Sequence, residues 1–128
     1  MTVDSSALVA ILFAEPGYLD LVDRVLEADV VRVGAPTLVE TGVVLTARRG
    51  KPALAQLHDL IRELDITVVP FGEREWQAAV AAYQRFGRGR HKAALNFGDC
   101  LAYATAAVAG DSLLFVGDDF TSTNIPPA

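Results

Sequence analysis

The segment Thr2-Val3-Asp4-Ser5-Ser6-Ala7-Leu8 predicts a short strand that runs directly into a helix, with an acidic residue at the junction. We expect the strand to cover Thr2–Asp4 and the helix to run from about Ser6 to Ala14, with Ser5 or Ser6 as its N-cap. The acid at the junction has an ordinary explanation as well, because Asp before a helix commonly caps it. A short apolar strand followed by a helix is the unit from which the rest of the fold can be predicted.

The same alternation continues along the chain. Further strands are predicted at Val31–Ala35, Ile66–Val69 and Leu113–Val116, with Ile125 in a short last strand. Apolar residues at helical spacing fill the intervals, near Tyr18–Leu26, Pro36–Gly50, Leu54–Leu64, Trp76–Tyr83 and Asn96–Ala109. Such alternation indicates a parallel sheet with right-handed crossovers and helices on both faces. We therefore predict an α/β fold of three layers, α/β/α, around a mostly parallel sheet of four to five strands.

The composition favours a single globular domain over residues 1–128, large enough for a core without disulfides. Hydrophobic residues make up 52% and charged residues 21%, and the lone Cys100 fits a reducing cytoplasm. The early apolar run Ala7–Phe13 is too short to span a membrane and lacks a basic start, so we expect neither membrane contact nor a signal peptide. The formal charge of −5 argues against nonspecific coating of nucleic acid but leaves a nuclease with a local basic patch open.

Acidic residues recur where predicted strands end and helices begin. Asp118 and Asp119 follow the strand predicted at Leu113–Val116, and Asp99 falls in the first turn of the helix predicted from Asn96. Taken singly, each has a structural explanation, since Asp is common in turns and favourable near a helix N-terminus. In parallel sheets, however, ligands bind at the carboxyl ends of the strands, where these residues would meet. The pattern therefore predicts an acidic cluster on one side of the sheet.

Glu40 is the acid that is hardest to explain as an ordinary surface residue. Its neighbours along the helix are apolar: Leu38, Val39, Val43 and Val44. We expect this helix to be buried nearly all round, and a buried carboxylate needs a partner. No Lys or Arg lies within a turn of Glu40, and Arg48 is two turns away. Either a distant basic side chain reaches Glu40, or it belongs to the acidic cluster.

Carboxylates brought together in this way repel one another and raise each other's pKa, and a divalent cation relieves that repulsion. A set of oxygen ligands without His or Cys favours Mg²⁺ or Mn²⁺ over zinc. Mg²⁺ typically takes one or two carboxylates directly and keeps several waters, which leaves the other acids to hold those waters or a second ion. Water oriented by such an ion is a nucleophile for phosphodiester hydrolysis.

The acidic motifs, in their order along the chain, resemble those of PIN domains and, more closely, of VapC toxins. The segments that carry the resemblance are Val3-Asp4-Ser5-Ser6-Ala7-Leu8, Glu40 on a helix, Asn96-Phe97-Gly98-Asp99-Cys100 and Leu114-Phe115-Val116-Gly117-Asp118-Asp119-Phe120. The resemblance implies a Mg²⁺- or Mn²⁺-dependent endoribonuclease, the toxin of a type II toxin–antitoxin module, that cuts RNA such as tRNA and blocks translation. It also implies a VapB-like antitoxin whose tail covers the active site, together with homodimers and toxin–antitoxin hetero-oligomers.

The resemblance also implies roles for individual residues. The acids of the family fall on four positions here: Asp4, Glu40, Asp99 and Asp119. Asp4 and Asp99 match the acids in direct metal contact, and Asp119, immediately before Phe120, ranks above Asp118. Ser6 matches a hydroxyl residue that supports the site by hydrogen-bonding a carboxylate or a metal water. Asn96 matches a residue that shapes the start of the same helix as Asp99.

A basic segment, Arg85-Phe86-Gly87-Arg88-Gly89-Arg90-His91-Lys92, precedes the Asp99 motif and holds four of the chain's 11 Lys and Arg residues. On a loop loosened by glycine, such side chains suit RNA phosphates. We expect RNA contacts from these four cations: Arg85, Arg88, Arg90 and Lys92. A solvated loop, or a surface covered by antitoxin, is the alternative. Trp76 and Tyr83 are expected in the core or at a dimer surface, with base stacking as a minor alternative.

Two other functions compete with a ribonuclease. A receiver-type phosphoacceptor module is also an acidic doubly wound sheet, but its chemistry needs an acidic pair near the first strand and a Lys after a late strand. Here the first strand ends in the single Asp4, and no Lys follows Lys92. A non-catalytic RNA-binding PIN domain would keep the fold without the reaction, and the intact set of four acids argues against it.

Overall fold

A four-stranded, fully parallel sheet lies at the centre of the computed structural model, which describes residues 1–128. Its strands are β1 (Thr2–Val3), β2 (Arg32–Gly34), β3 (Thr67–Val69) and β4 (Leu113–Leu114). Their order across the sheet is β3-β2-β1-β4, so the first strand of the chain is central and pairs with β2 and β4. The predicted α/β fold and its parallel sheet are confirmed.

Six helices connect and cover the strands: α1 (Ser5–Leu12), α2 (Tyr18–Glu27), α3 (Ala35–Arg49), α4 (Ala53–Glu63), α5 (Glu73–Phe86) and α6 (Phe97–Ala109). Pro36 lies in the first turn of α3, where a missing N–H costs nothing, and Gly110 ends α6 in the left-handed conformation. None of these helices combines the length and apolar character needed to cross a lipid bilayer.

Strand side chains alternate between two cores, one on each face of the sheet. On one face, Leu113 lies in a cluster with α5 and α6 residues that include Ala79, Ala82, Phe86 and Tyr103. On the other face, Leu114 and Val3 lie in a cluster with Leu8 of α1 and Val25 of α2. The adjacent residues Leu113 and Leu114 therefore serve opposite cores, which gives the three layers that the sequence predicts.

The start of α1 differs from the prediction because the acid itself is the cap. The carboxylate of Asp4 accepts a hydrogen bond from the backbone N–H of Ser6 at 3.0 Å, so neither Ser5 nor Ser6 is the N-cap. The helix consequently begins one residue earlier than predicted, at Ser5, and it ends at Leu12.

The strands at the end of the chain are shorter than predicted. After Leu114 the backbone leaves the sheet, because the N–H of Val116 donates to the side chain of Ser6 and not to a neighbouring strand. The last strand predicted at Ile125 is wrong: a single parallel bridge joins Pro127 to Leu113, and Ile125 is a buried core residue.

The prediction that α3 is buried nearly all round is also wrong. Val39 and Val43 are 67% and 63% exposed, whereas Thr41 and Leu45 on the opposite side are buried. The inner side of α3 packs against α1, α4 and α6, which leaves its outer side without cover. Glu40 is half-buried between these two sides.

The amino ends of the strands, here called the amino edge, carry an ion pair centred on Asp111. Its carboxylate accepts hydrogen bonds from Arg32 Nη1 at 3.0 and 2.9 Å and from the Thr2 hydroxyl at 2.9 Å, and the Met1 ammonium lies 3.5 Å away. Burial alone would raise the pKa of Asp111, but these hydrogen bonds and positive charges outweigh it and lower the pKa. Asp111 therefore joins the starts of β1 and β2 to the chain just before β4.

Candidate active site

Asp4 lies at the carboxyl end of β1 and is only 4% exposed. Its Oδ2 accepts hydrogen bonds from the N–H and hydroxyl of Ser6, at 3.0 and 2.5 Å. The Ser6 hydroxyl in turn accepts from the N–H of Val116 at 3.0 Å, so Ser6 joins Asp4 to the segment after β4. Burial raises the pKa of Asp4, the hydrogen bonds from Ser6 act against this, and the nearby charge of Glu40 raises it further. Capping of α1 thus accounts for the hydrogen bonds of Oδ2, but it places no positive charge beside this carboxylate.

Glu40 lies between the first turns of α1 and α6. Its Oε1 accepts a hydrogen bond from the hydroxyl of Ser5, and a Cβ at Gly98 would overlap its Oε2. Only glycine at position 98 therefore lets α6 approach this carboxylate so closely. No ion pair includes Glu40, so the distant basic partner considered from the sequence is absent and Glu40 lies with the other acids.

Asp99 occupies the first turn of α6 in a reciprocal capping arrangement with Asn96. The backbone N–H of Asn96 donates to Asp99 Oδ2, and the N–H of Asp99 donates to Asn96 Oδ1, both at 2.9 Å. Burial raises the pKa of Asp99 to about 6; the hydrogen bond from Asn96 lowers it, while the charges of Asp119, Asp4 and Glu40 raise it. All four predicted acids are therefore close enough to interact electrostatically.

The pair Asp118-Asp119 divides between two roles. Both side chains are exposed, but only Asp119 is among the charges that raise the pKa of Asp99. The carbonyl oxygen of Asp118 accepts hydrogen bonds from the N–H and hydroxyl of Thr121, at 3.1 and 2.7 Å, which makes this residue part of a turn. The geometry favours Asp119 over Asp118 as a member of the cluster.

The four acids form an open group on the carboxyl edge, the edge formed by the carboxyl ends of the strands. No three acidic, His or Cys side chains lie close enough together to enclose a metal ion. None of the four acids has a Lys or Arg partner. Carboxylate oxygens that raise one another's pKa suit a hard cation that completes its shell with water, and they do not suit zinc. The donor set therefore fits Mg²⁺ or Mn²⁺ held by one or two direct ligands.

The basic segment begins in the last turn of α5 and continues from Gly87 as a closed loop, here called the basic loop, which corrects the prediction that glycine loosens it. The N–H of Leu95 donates to the carbonyl of Phe86 at 2.9 Å, and the N–H of Arg88 donates to Leu95 at 3.0 Å. Gly87 is buried, and a Cβ there would lie 2.7 Å from Cε2 of Tyr83. The glycine thus allows close packing at the base of the loop, and the cations extend from a compact structure.

None of the four predicted RNA-binding cations forms an ion pair, and all four side chains are exposed: Arg85, Arg88, Arg90 and Lys92. Arg85 lies over the ring of Phe86 at 4.7 Å, and Arg90 lies 5.7 Å from the ring centre of Tyr83. His91 is half-buried against Phe86, and its Nδ1 accepts a hydrogen bond from a backbone N–H within the loop. The four cations remain available to phosphates, while His91 shapes the loop.

Other predictions near the site have mixed outcomes. Cys100 is buried, and burial, followed by the charge of Asp99, raises the pKa of its thiol to about 11, which excludes a reactive nucleophile. Trp76 and Tyr83 are 49% and 42% exposed, so their placement in the core is wrong. The roles of Ser5 and Gly98 were missed, although a glycine inside the first turn of a helix is a signal of close approach.

Comparison with known proteins agrees with this geometry. A family model described as PIN domain matches residues 1–125. Ribonuclease VapC28 of Mycobacterium tuberculosis is 43% identical over 129 residues, covering 100% of this chain and 97% of the relative. The crystal structure of M. tuberculosis VapC20, a sarcin–ricin loop cleaving toxin, superposes with a TM-score of 0.78 at 18% identity, over 99% of this chain and 97% of that one. VapBC2 from Rickettsia felis, bound to a promoter DNA fragment, superposes with a TM-score of 0.74 at 10% identity, over 99% and 96%.

The receiver-type alternative is wrong, because a PIN match spans nearly the whole chain and the VapC relative aligns over its full length. The resemblance predicted from the sequence motifs is confirmed at the level of the family and of its ribonuclease members. The chain belongs to the PIN-domain family and, within it, to the VapC ribonucleases.

Proposed function

We propose that this chain is a divalent-metal-dependent endoribonuclease and the toxin of a toxin–antitoxin module, with residues 1–128 acting as one PIN domain in the cytoplasm. One observation carries the metal dependence. Four carboxylates share the carboxyl edge, the pKa of Asp99 is raised to about 6, and no basic side chain pairs with any of them. Such a group is balanced most simply by a divalent cation.

Asp4 and Asp99 are the residues that would hold the ion directly, because Asp4 is buried at the carboxyl end of β1 and Asp99 is partly buried in the first turn of α6. A bound Mg²⁺ or Mn²⁺ would neutralise charge on the phosphate and make a bound water more acidic. Glu40, held by Ser5, and Asp119 orient the attacking water. The water attacks the phosphorus in line and expels the 3′ oxygen.

Ser6 and Asn96 act through the acids that they contact. Ser6 donates to Asp4 at 2.5 Å and fixes the orientation of that carboxylate. At Asn96 the backbone N–H donates to the Asp99 carboxylate and the side-chain oxygen accepts from the Asp99 N–H, both at 2.9 Å. Asp118 supports the turn that carries Asp119. These contacts keep four like charges in place, so the site is organised before the substrate binds.

The RNA is held by the basic loop beside the acids. We propose that four exposed, unpaired cations, one in the last turn of α5 and three in this loop, contact phosphates on one side of the bond that is cut: Arg85, Arg88, Arg90 and Lys92. Structured RNAs of the translation machinery are the substrates to test first. A tRNA and a sarcin–ricin stem-loop are suitable, since the related VapC20 is described as cleaving the latter.

A VapB-like antitoxin is the proposed protein partner, in a toxin–antitoxin hetero-oligomer that also contains a toxin homodimer. The exposed apolar side chains of α3 and α4 support a protein partner, since Val39, Val43 and Leu54 are 67%, 63% and 42% exposed. A structural neighbour from Klebsiella pneumoniae is itself a toxin–antitoxin complex. Growth arrest on expression, rescued by an antitoxin encoded beside this gene, tests the partnership.

The test of the reaction is cleavage of labelled RNA with EDTA, Mg²⁺ or Mn²⁺. Asp4→Ala and Asp99→Ala are expected to abolish cleavage while the circular dichroism spectrum stays that of the folded protein. Asp59→Ala, which removes an exposed acid of α4, is the matched control and keeps the wild-type rate. Wild-type cleavage by either site variant, or full activity in EDTA, would refute the mechanism. A wild-type chain that binds but never cuts RNA would indicate the non-catalytic alternative.

A further inference from the structure

Phe97 is the most exposed large apolar side chain of the molecule, at 80% of its surface. It is the first residue of α6, directly between Asn96, which caps the helix, and the turn that carries Asp99. Single exposed apolar residues are common on protein surfaces, but this ring lines an apolar groove at the start of the helix that carries Asp99. We therefore expect a ligand to cover this ring while the site is occupied.

The groove runs between α5 and α6 and has a volume of about 330 Å³, at the lower end of small-ligand pockets. It is lined by Ala79, Val80, Tyr83, Phe97, Cys100 and Leu101. Phe97 and Leu101 are four residues apart and so lie on one face of α6. Asp99 lies two residues after Phe97, about 3 Å along the helix axis but about 200° around it, so an occupant that reaches both must pass around the N-terminal end of α6.

The other wall of the groove leads to the basic loop. Tyr83 packs so closely against Gly87, at the base of that loop, that a Cβ at position 87 would lie 2.5 Å from Cδ2 of its ring. The guanidinium of Arg90 lies 5.7 Å from the centre of the same ring. The aromatic surface of the groove thus adjoins an exposed cation, Arg90, that has no acidic partner.

We propose that this groove binds a nucleobase of the RNA strand beside the bond that is cut, with Phe97 as its stacking face. The inference rests on the proposed ribonuclease function and adds a position that contacts the base. Single-stranded RNA is bound by aromatic side chains next to cations that follow its backbone, and this groove provides both.

The test measures binding of a fluorescein-labelled single-stranded oligoribonucleotide to Asp4→Asn protein, which holds the RNA without cutting it. Phe97→Ala and Phe97→Leu are expected to weaken binding about 10-fold to 100-fold, the range for one stacked base. Phe97→Trp keeps the affinity, because it retains an aromatic face. Leu26→Ala removes another exposed apolar side chain, on α2, and serves as the matched control. Because Phe97 is 80% exposed, its variants should keep the melting temperature of the parent.

A series of oligonucleotides, each lacking one base, then locates the contact. The parent is expected to lose affinity when one particular base is missing, and in Phe97→Ala the absence of that base has no further effect. The inference is overturned if Phe97→Leu binds like the parent, or if the variants change the elution volume on gel filtration but not RNA affinity, as a protein interface would require. Failure of the parent to bind any RNA overturns the proposed function as well, whereas RNA binding that is independent of Phe97 removes only this inference.

Discussion

Asp99 and Asp111 are aspartates at opposite edges of one small sheet, and their surroundings differ in sign. At the carboxyl edge, burial and three neighbouring acids raise the pKa of Asp99 to about 6. At the amino edge, Asp111 is held by Arg32, Thr2 and the Met1 ammonium, which together lower its pKa despite burial. The amino edge contains an ordinary stabilising ion pair. The carboxyl edge instead gathers several carboxylates without a positively charged partner.

The difference separates stability from function within the same fold. Hydrogen-bonded, oppositely charged partners at the amino edge stabilise the start of the sheet. Clustered carboxylates at the carboxyl edge oppose folding through their repulsion, and such arrangements are typical of functional sites. Two edges of the same sheet should therefore respond oppositely to substitution, to divalent metal and to pH.

The largest expected effect on stability is at the amino edge. Asp111→Asn leaves Arg32 without a charged partner, so the free energy of unfolding should fall by about 1–3 kcal/mol in urea denaturation. RNA cleavage by the folded fraction should be unchanged. Asp59→Ala, which removes an exposed ion pair of α4, should cost less than about 0.5 kcal/mol. Equal losses in the two variants would break the comparison.

Divalent metal should stabilise the carboxyl edge alone. At ten times the dissociation constant, Mg²⁺ is expected to raise the free energy of unfolding of the wild type by about 1.4 kcal/mol. Asp99→Asn should lose this response because a direct ligand is gone, and Asp111→Asn should keep it. Thermal denaturation with and without Mg²⁺ measures both. A response that survives in Asp99→Asn would mean that the ion binds elsewhere.

The smallest expected effect is a pair of opposite pH trends in EDTA. The pKa of Asp99 is raised from 3.8 to about 6, so protonation stabilises the fold below that range and the benefit is lost as pH rises through about 6. The melting temperature of the wild type minus that of Asp99→Asn should therefore fall between about pH 4 and pH 6. The pKa of Asp111 is lowered, so the wild type should gain on Asp111→Asn as pH rises through 3.8. Parallel trends would contradict the two environments.

Much of the fold could be predicted because strand–helix alternation is local and repeats along the chain. The strands that carry the sheet were predicted within two residues at each end, and the helices follow from apolar spacing. The errors share one physical cause, which is that contacts between distant segments set the final boundaries. β4 ends at Leu114 because Val116 bonds to Ser6, which is 110 residues away in sequence.

The candidate site was predicted less completely. Asp4, Asp99 and Asp119 stand at element ends, where sequence pattern is informative, and Glu40 was singled out because no local basic partner lies near it. The hydrogen bond between Ser5 and Glu40 joins residues 35 apart, and the contact of Gly98 with Glu40 depends on how α6 meets α3. Gly98 gives a general signal of close approach, but no periodicity or motif predicts that its partner is Glu40 or that Ser5 bonds to the same side chain.

The sequence by itself determined the order of strands and helices, the four acids and the basic segment, because hydrophobic periodicity and residue type are properties of the chain alone. The tertiary structure decided which of these residues lie close enough together to change one another's pKa. It separated Asp119 from Asp118, left Val39 and Val43 exposed, and placed Phe97 in one groove with Tyr83. Distance and burial set pKa values and access, and both arise only when distant segments pack together.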